Sequence, residues 1–131
     1  MYGPIGPYLV TADEIPDPHK LQVRLWVNGV LKQNYNTSDM AHKIPRCIEW
    51  ITSIHDLEPG DILATGTNHR GLNAFQDGDK VELETEGLGR LTIKVRDDQK
   101  RTWTRETRLE RQNRKEDPLA PQLSGKYAPK A

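Results

Sequence analysis

One cysteine, Cys47, and one phenylalanine stand among 131 residues, and aromatic side chains make up only 6% of the chain. A lone thiol forms no internal disulfide and cannot supply the paired thiolates of a usual structural zinc site. His19, His42 and His55 have no mutual spacing that would replace them. An excess of one charge is also missing: 19 basic and 19 acidic residues give a formal net charge of zero. That balance leaves no bulk field to attract nucleic acid, a membrane surface or another polyanion. No apolar run approaches the roughly 18 to 20 residues of a membrane span, and no basic stretch followed by an apolar one opens the sequence, so a cytoplasmic protein is expected. Asn36-Thr37-Ser38 matches the N-glycosylation pattern, which without an export signal is a chance match. Phosphate loops, nucleophile elbows and dinucleotide fingerprints are missing as well. With 34% hydrophobic residues and a mean hydropathy of -0.80, little apolar surface is left for a self-sufficient core, and a partner surface is expected.

What the chain does contain is glycine and proline at punctuating positions. Gly3-Pro-Ile-Gly-Pro7 through Pro18 is rich in turns, and its prolines forbid a helix interior. Leu21, Val23, Leu25 and Val27 alternate with polar residues and Trp26 before Asn28-Gly29, a hairpin signal that returns the chain over residues 30–34. Between Thr37 and about Ile54 the period lengthens: Met40, Ile44, Cys47, Ile48 and Ile51 recur at helical spacing behind Ser38 as N-cap. Pro45 fits such a helix only in its first turn. Ile62-Leu63-Ala64 reads as a short buried strand, and Lys80 to Glu86 and Arg90 to Arg96 alternate on either side of Gly87-Leu88-Gly89 as a second hairpin. The class expected is mainly β, with one short amphipathic helix. Residues 97–131 are dense in charge and proline and read as an arm.

Chemistry concentrates after residue 64. Thr65-Gly66-Thr67 sets two hydroxyls beside open backbone amides, which makes either a cradle for a carboxylate or enolate oxygen or an ordinary strand-end turn. Asn68, His69 and Arg70 follow. Arg70 offers an anion partner, although a loop His beside an Arg is more often a solvated pair. Glu82, Glu84 and Glu86 share one face of a strand, an arrangement open to a metal reading, but Val81, Leu83, Leu91, Ile93 and Val95 claim the other face for the core and leave the glutamates in water. Asp13, Glu14 and Asp17 lie around a proline-bounded turn and read as local backbone acceptors.

Taken in order, Gly3 to Pro18, Trp26-Val-Asn-Gly29, Asn36-Thr-Ser-Asp-Met40, Leu57-Glu-Pro-Gly-Asp61, Thr65-Gly-Thr67 and Glu86-Gly-Leu-Gly89 closely resemble the C-terminal half of the fumarylacetoacetate hydrolase family. The resemblance runs to about residue 96 and implies a β-roll of mixed sheets. Residues 1–96 are then the C-terminal half of a catalytic domain, while 97–131 lie outside the resemblance and, as the arm read from composition, are expected to clasp a partner subunit. It further implies a homodimeric enzyme that uses Mg²⁺, Mn²⁺ or Ca²⁺ on 2-oxo, 1,3-dioxo or enol acids through a stabilised enolate. Thr67 would bind the substrate carboxylate, supported by Thr65 and Gly66, with Asn68 and His69 adjoining. The family's metal-ligating carboxylates, including a Glu-x-Glu pair, and its catalytic His-Glu pair and Lys lie ahead of the Gly-Pro-Ile-Gly-Pro block. The resemblance therefore assigns no metal ligand and no catalytic residue to this chain and places both on a missing or separate N-terminal segment. Asn68-His69-Arg70 departs from the Pro, small residue, Gly that relatives usually carry there. The alternative is a non-catalytic scaffold or dimerisation module that keeps the fold without its ion.

Overall fold

A computed structural model describes residues 3–129. Of the two segments expected from sequence, 1–96 and 97–131, the outermost residues 1–2 and 130–131 therefore lie outside the described residues. The centre is a four-stranded antiparallel sheet made from both expected hairpins. Strands β1 (Gln22–Val27) and β2 (Val30–Asn36) turn at Asn28-Gly29, where both residues adopt positive φ (51° and 80°). Such a two-residue turn matches the right-handed twist of the strands it joins. Strands β3 (Lys80–Thr85) and β4 (Gly89–Lys94) form the second hairpin, and the sheet order is β2-β1-β3-β4. The register breaks between Leu25 and Trp26, which leaves Lys32 as an extra, bulged residue on β2.

Period-two alternation sorts the faces. Val23, Leu25 and Val27 stand opposite Thr85, Leu83 and Val81, and the last two stand opposite Leu91 and Ile93, so one face is apolar. The other carries Arg24, Glu82, Glu84 and Arg90, tied by ion pairs, with the Arg90 guanidinium 4.5 Å from the Trp26 ring centre. Glu82 and Glu84 lie on the face the alternation gave them, but not in open water: the Glu82 side chain is only 15% exposed beside Lys80 and Arg90, whereas Glu86, past the end of β3, is exposed. The apolar face is nevertheless thinly covered: Val23, Val27 and Val81 are its buried hydrophobic residues, whereas Leu83 is 36% exposed.

Helix α1 (Ile44–Thr52) starts at the proline, as Pro45 requires. The longer helix expected from Thr37 breaks instead into a 3-10 turn, Thr37–Asp39, and α1. Ser38 is not the cap: Asn36 caps the 3-10 turn by accepting from the Ser38 amide, and the Ile44 amide donates to His19 Nε2 at 3.1 Å. A second correction concerns residues 62–64, which are irregular rather than a buried strand, with Ile62 71% exposed. A strand needs a ladder for its amides and carbonyls. Among the described residues, this segment pairs with neither edge strand of the sheet, β2 or β4.

The C-terminal segment folds back on this body. It contributes β5 (Thr102–Trp103), α2 (Arg108–Asn113) and β6 (Gln122–Ser124), with β5 and β6 paired antiparallel. Arg105 reaches the fully buried Asp79 at 2.6 Å, and Gln76 Nε2 donates to the Trp103 carbonyl. The turn that starts the segment is fixed by Asp97. Arg101 donates to both of its oxygens at 3.0 Å and, with neighbouring backbone amides, holds this carboxyl down at about 2.

Candidate functional site

The end of β2 and the 3-10 turn after it form one side of a cavity of about 280 Å³, and residues 65–69 form the other. Thr65, Gly66, Thr67, Asn68 and His69 all line it, so the structure brings together the five residues singled out from sequence. Gly66 has φ 83°, a left-handed conformation, and a Cβ there would meet nothing within 4 Å. The backbone here is bent by glycine and left open. Thr67 Oγ1 lies 3.5 Å from the Tyr35 hydroxyl. Asn68 Nδ2 donates to Asp39 Oδ2 at 2.7 Å, while its Oδ1 accepts from the Arg70 amide at 3.0 Å, an Asx turn that fixes the loop.

Tyr35, Asp39 and Met40 also line this cavity, and none was assigned a role from sequence. Asp39 and Met40 belong to the Asn36-to-Met40 block that carries part of the family resemblance, and neither residue type alone pointed to a cavity. Tyr35 is a strand residue on the sheet's apolar side, where side-chain type alone reads as packing. Behind the same three-residue bend lies an apolar cavity of about 430 Å³ lined by Leu25, Leu83 and Leu88. Thr65 to Thr67 therefore stand between the first cavity and the sheet's open apolar face.

Arg70 lines a third, polar cavity of about 470 Å³, which shares Tyr35, Asp39 and Asn68 with the first. The residues present do not make a divalent-cation site. Among the described residues no three His, Cys, Asp or Glu side chains are grouped to hold an ion. Asp39, the carboxylate on the first cavity's wall, is engaged by Asn68, and a hard cation wants six or more oxygens.

Comparison with known proteins gives this geometry a context. The description Fumarylacetoacetate (FAA) hydrolase C-terminal matches residues 1–96. A 4-hydroxyphenylacetate degradation bifunctional isomerase/decarboxylase of Salmonella dublin is 42% identical over 92 residues, covering 70% of this chain and 21% of that protein. The maleylpyruvate hydrolase of Aquipseudomonas alcaligenes is 41% identical over 95 residues, 72% of this chain and 33% of that one. Among solved structures, maleylpyruvate hydrolase from Sphingobium sp. SYK-6 in complex with manganese(II) ion and pyruvate aligns with a TM-score of 0.67 at 38% identity, covering 70% of this chain and 34% of that chain. The chain thus spans about a third or less of the length of these relatives.

Proposed function

The chain belongs to the fumarylacetoacetate hydrolase family, and from that premise we propose that it supplies the carboxylate-binding rim of an enzyme acting on 2-oxo or 1,3-dioxo acids. The observation that carries this reading is the convergence of Thr65 to His69 on one cavity around an open glycine bend. A carboxylate there accepts from the Thr67 hydroxyl and from backbone amides of the bend, which are charge-assisted bonds. The Tyr35 hydroxyl, 3.5 Å from Thr67 Oγ1, stands beside that contact on the same cavity wall. The reaction we assign is of the acylpyruvate type, carbon-carbon cleavage or a related decarboxylation or hydration through an enolate.

Divalent metal, Mg²⁺ or Mn²⁺, belongs to this proposal as a component held by residues outside those described, because the described ones do not fit it. The part of this chain is to bind and orient. The complete catalyst we envisage is a cytoplasmic homodimer that includes an N-terminal segment in addition to these residues.

Pyruvate, the smallest 2-oxo acid, tests the reading on the 131-residue chain through ¹⁵N-resolved NMR. The amides of residues 65–69 are expected to move on titration, and Thr67→Ala to weaken binding by about 1.5 to 3 kcal/mol, roughly ten- to 150-fold, since the acceptor is charged. If pyruvate leaves those amides where they are, the rim reading fails and the scaffold reading takes its place.

A further inference from the structure

We propose that His19 is a positioning residue with a proton switch: its unprotonated Nε2 holds the start of α1, and protonation lets go of the segment that forms one wall of the cavity at Thr65 to His69. The hold on α1 stands by itself, whereas its effect on a ligand rests on the reading of that cavity as a carboxylate rim. The Ile44 amide donates to His19 Nε2 at 3.1 Å from 25 residues away in sequence, and the His19 side chain is 24% exposed. A backbone N–H can only donate, so Nε2 is the acceptor and the neutral ring carries its proton on Nδ1. Asp17 lies on that side, with Oδ1 3.7 Å from Nδ1.

The helix has little else to fix its first turn. The amides there have no partner inside the helix, Pro45 has no N–H to give, and Lys43 at the N-cap position makes no side-chain cap. Lys43 Nζ goes instead to the Ser38 carbonyl at 2.7 Å. His19 thus does from a distant segment what a Ser or Asp side chain does at an ordinary N-cap. A protonated ring has an N–H on both nitrogens, so Nε2–H would face the Ile44 N–H, donor against donor, and would set a positive charge at the helix end that disfavours one. Asp17 favours the charged ring, but its oxygens already take the His19 amide and Lys20 Nζ, each at 2.9 Å. On the α1 side His42 and Lys43 precede Ile44, and their positive charge opposes a second one on His19.

What lies between Thr37 and Ile44 is the cavity wall, tied at both ends to residues 18–21. At its beginning, Thr37 Oγ1 donates to the Pro18 carbonyl at 2.8 Å and accepts from the Leu21 amide at 2.9 Å, while the Thr37 amide donates to the Leu21 carbonyl at 2.9 Å. Hydroxyl and backbone groups do not titrate near neutral pH, so this tie is indifferent to protons. At its end the tie is His19 to Ile44, which is not. Asp39, Met40 and Ala41 hang between the two ties and line the cavity opposite Thr65 to His69. Met40 and Ile44 also line the apolar cavity behind the bend, together with Pro18. Protonation of His19 therefore frees one end of the wall while the other stays fixed.

The test follows the His19 ring and the amides of Thr37, Met40 and Ile44 by NMR on the 131-residue chain from pH 8 to pH 5.5, in the wild type and in His19→Gln, whose carboxamide keeps an acceptor but takes no proton. At pH 8 the ring ¹⁵N signals are expected to show the Nδ1–H tautomer. As the pH falls, the Ile44 and Met40 amides should move together with the His19 ring while the Thr37 amide stays. In His19→Gln all three amides should stay, although His42 and His69 are still present. An Nε2–H tautomer, a ring that takes no proton by pH 5.5, or the same Ile44 curve in His19→Gln overturns the assignment. Pyruvate then reads the wall: the two chains should bind it equally at pH 8, and at pH 5.5 the wild type should bind about two- to twelvefold more weakly than His19→Gln, the range of one lost hydrogen bond. Equal binding at both pH values beside a titrating Ile44 amide overturns the link from α1 to the cavity. Pyruvate that moves none of the amides of residues 65–69 overturns the rim reading, and the Ile44 and Met40 amides still decide for or against the hold of His19 on the wall.

Discussion

Asp79 is the residue on which the two parts of the chain meet. Its carboxylate is fully buried and accepts from Asn28 Nδ2 at the first hairpin turn, from the Gln76 amide in its own loop, and from Arg105 in the C-terminal segment. Burial alone would raise its pKa, but the Arg105, Asn28 and Gln76 donors outweigh it and hold the carboxyl below its ordinary value. A folded-state pKa below the unfolded one means that the unfolded chain takes up the proton first as the pH falls. The contribution of Asp79 is therefore complete above the ordinary carboxyl value near 3.8 and is lost as the pH drops through the lower folded value. Asp79→Ala is expected to cost about 2 to 4 kcal/mol in urea unfolding at pH 7, because it strands three donors. Asp79→Asn, which keeps an acceptor but not the charge, should cost less and should flatten the fall in stability between pH 5 and pH 3 relative to the wild type. An unaltered acid slope in Asp79→Asn would remove this carboxylate from the linkage.

At the scale of elements, local chemistry was legible where the backbone had one choice. Asn28-Gly29 took the turn its two residues favour, and Pro45 fixed the start of α1 to within a residue. Glu82 and Glu84 fell on the face opposite Val81 and Leu83 because strand periodicity leaves no third option. Ile62 to Ala64 misled for the opposite reason: a short apolar run states that it wants burial but not where its ladder partner lies. For the site, the Thr65 to His69 cluster was visible as residue types, whereas Tyr35 and Asp39 arrive from a strand and a turn thirty residues earlier, and only the fold sets them opposite. The contact of α2 with residues 70–72, where the Arg108 and Leu109 amides donate to the Leu72 and Arg70 carbonyls, was hidden too, since a charge-rich composition does not display a helix cap. Thr107 accepts from the Glu110 amide while Glu110 returns the bond to the Thr107 amide, a capping box on a helix of six residues. Thr107→Ala is expected to cost about 0.5 to 2 kcal/mol. Hydrogen exchange should then speed up at the Arg108 and Leu109 amides, which hold the Arg70 loop, before it does in β1 and β3. Uniform acceleration across the sheet would show instead that α2 and the body open as one unit.

For the whole molecule the governing fact is how little apolar surface the described chain hides. Val23, Val27 and Val81 are its buried hydrophobic residues, while Leu9 is 98% and Trp50 56% exposed. Helix α1 has Ile44, Cys47, Ile48 and Ile51 at helical spacing, yet none of its residues is buried. An amphipathic helix gains most of its stability by packing its apolar stripe, so an uncovered stripe is an incomplete contact. The open sheet face beside Leu83 has the same character, and contiguous exposed apolar area is the kind of surface that partner chains, ligands or membranes cover. The zero net charge adds no long-range repulsion to oppose association. In sedimentation equilibrium the chain is accordingly expected to show an average mass of at least twice its 15.0 kDa. Trp50→Glu, which sets a charge on the exposed side of α1, should lower that mass toward the monomer if α1 is part of the contact. A wild-type chain that stays monomeric at high concentration and binds no apolar dye would mean that these side chains are stable in water. The case for a larger assembly would then have to rest on the relatives' greater length alone.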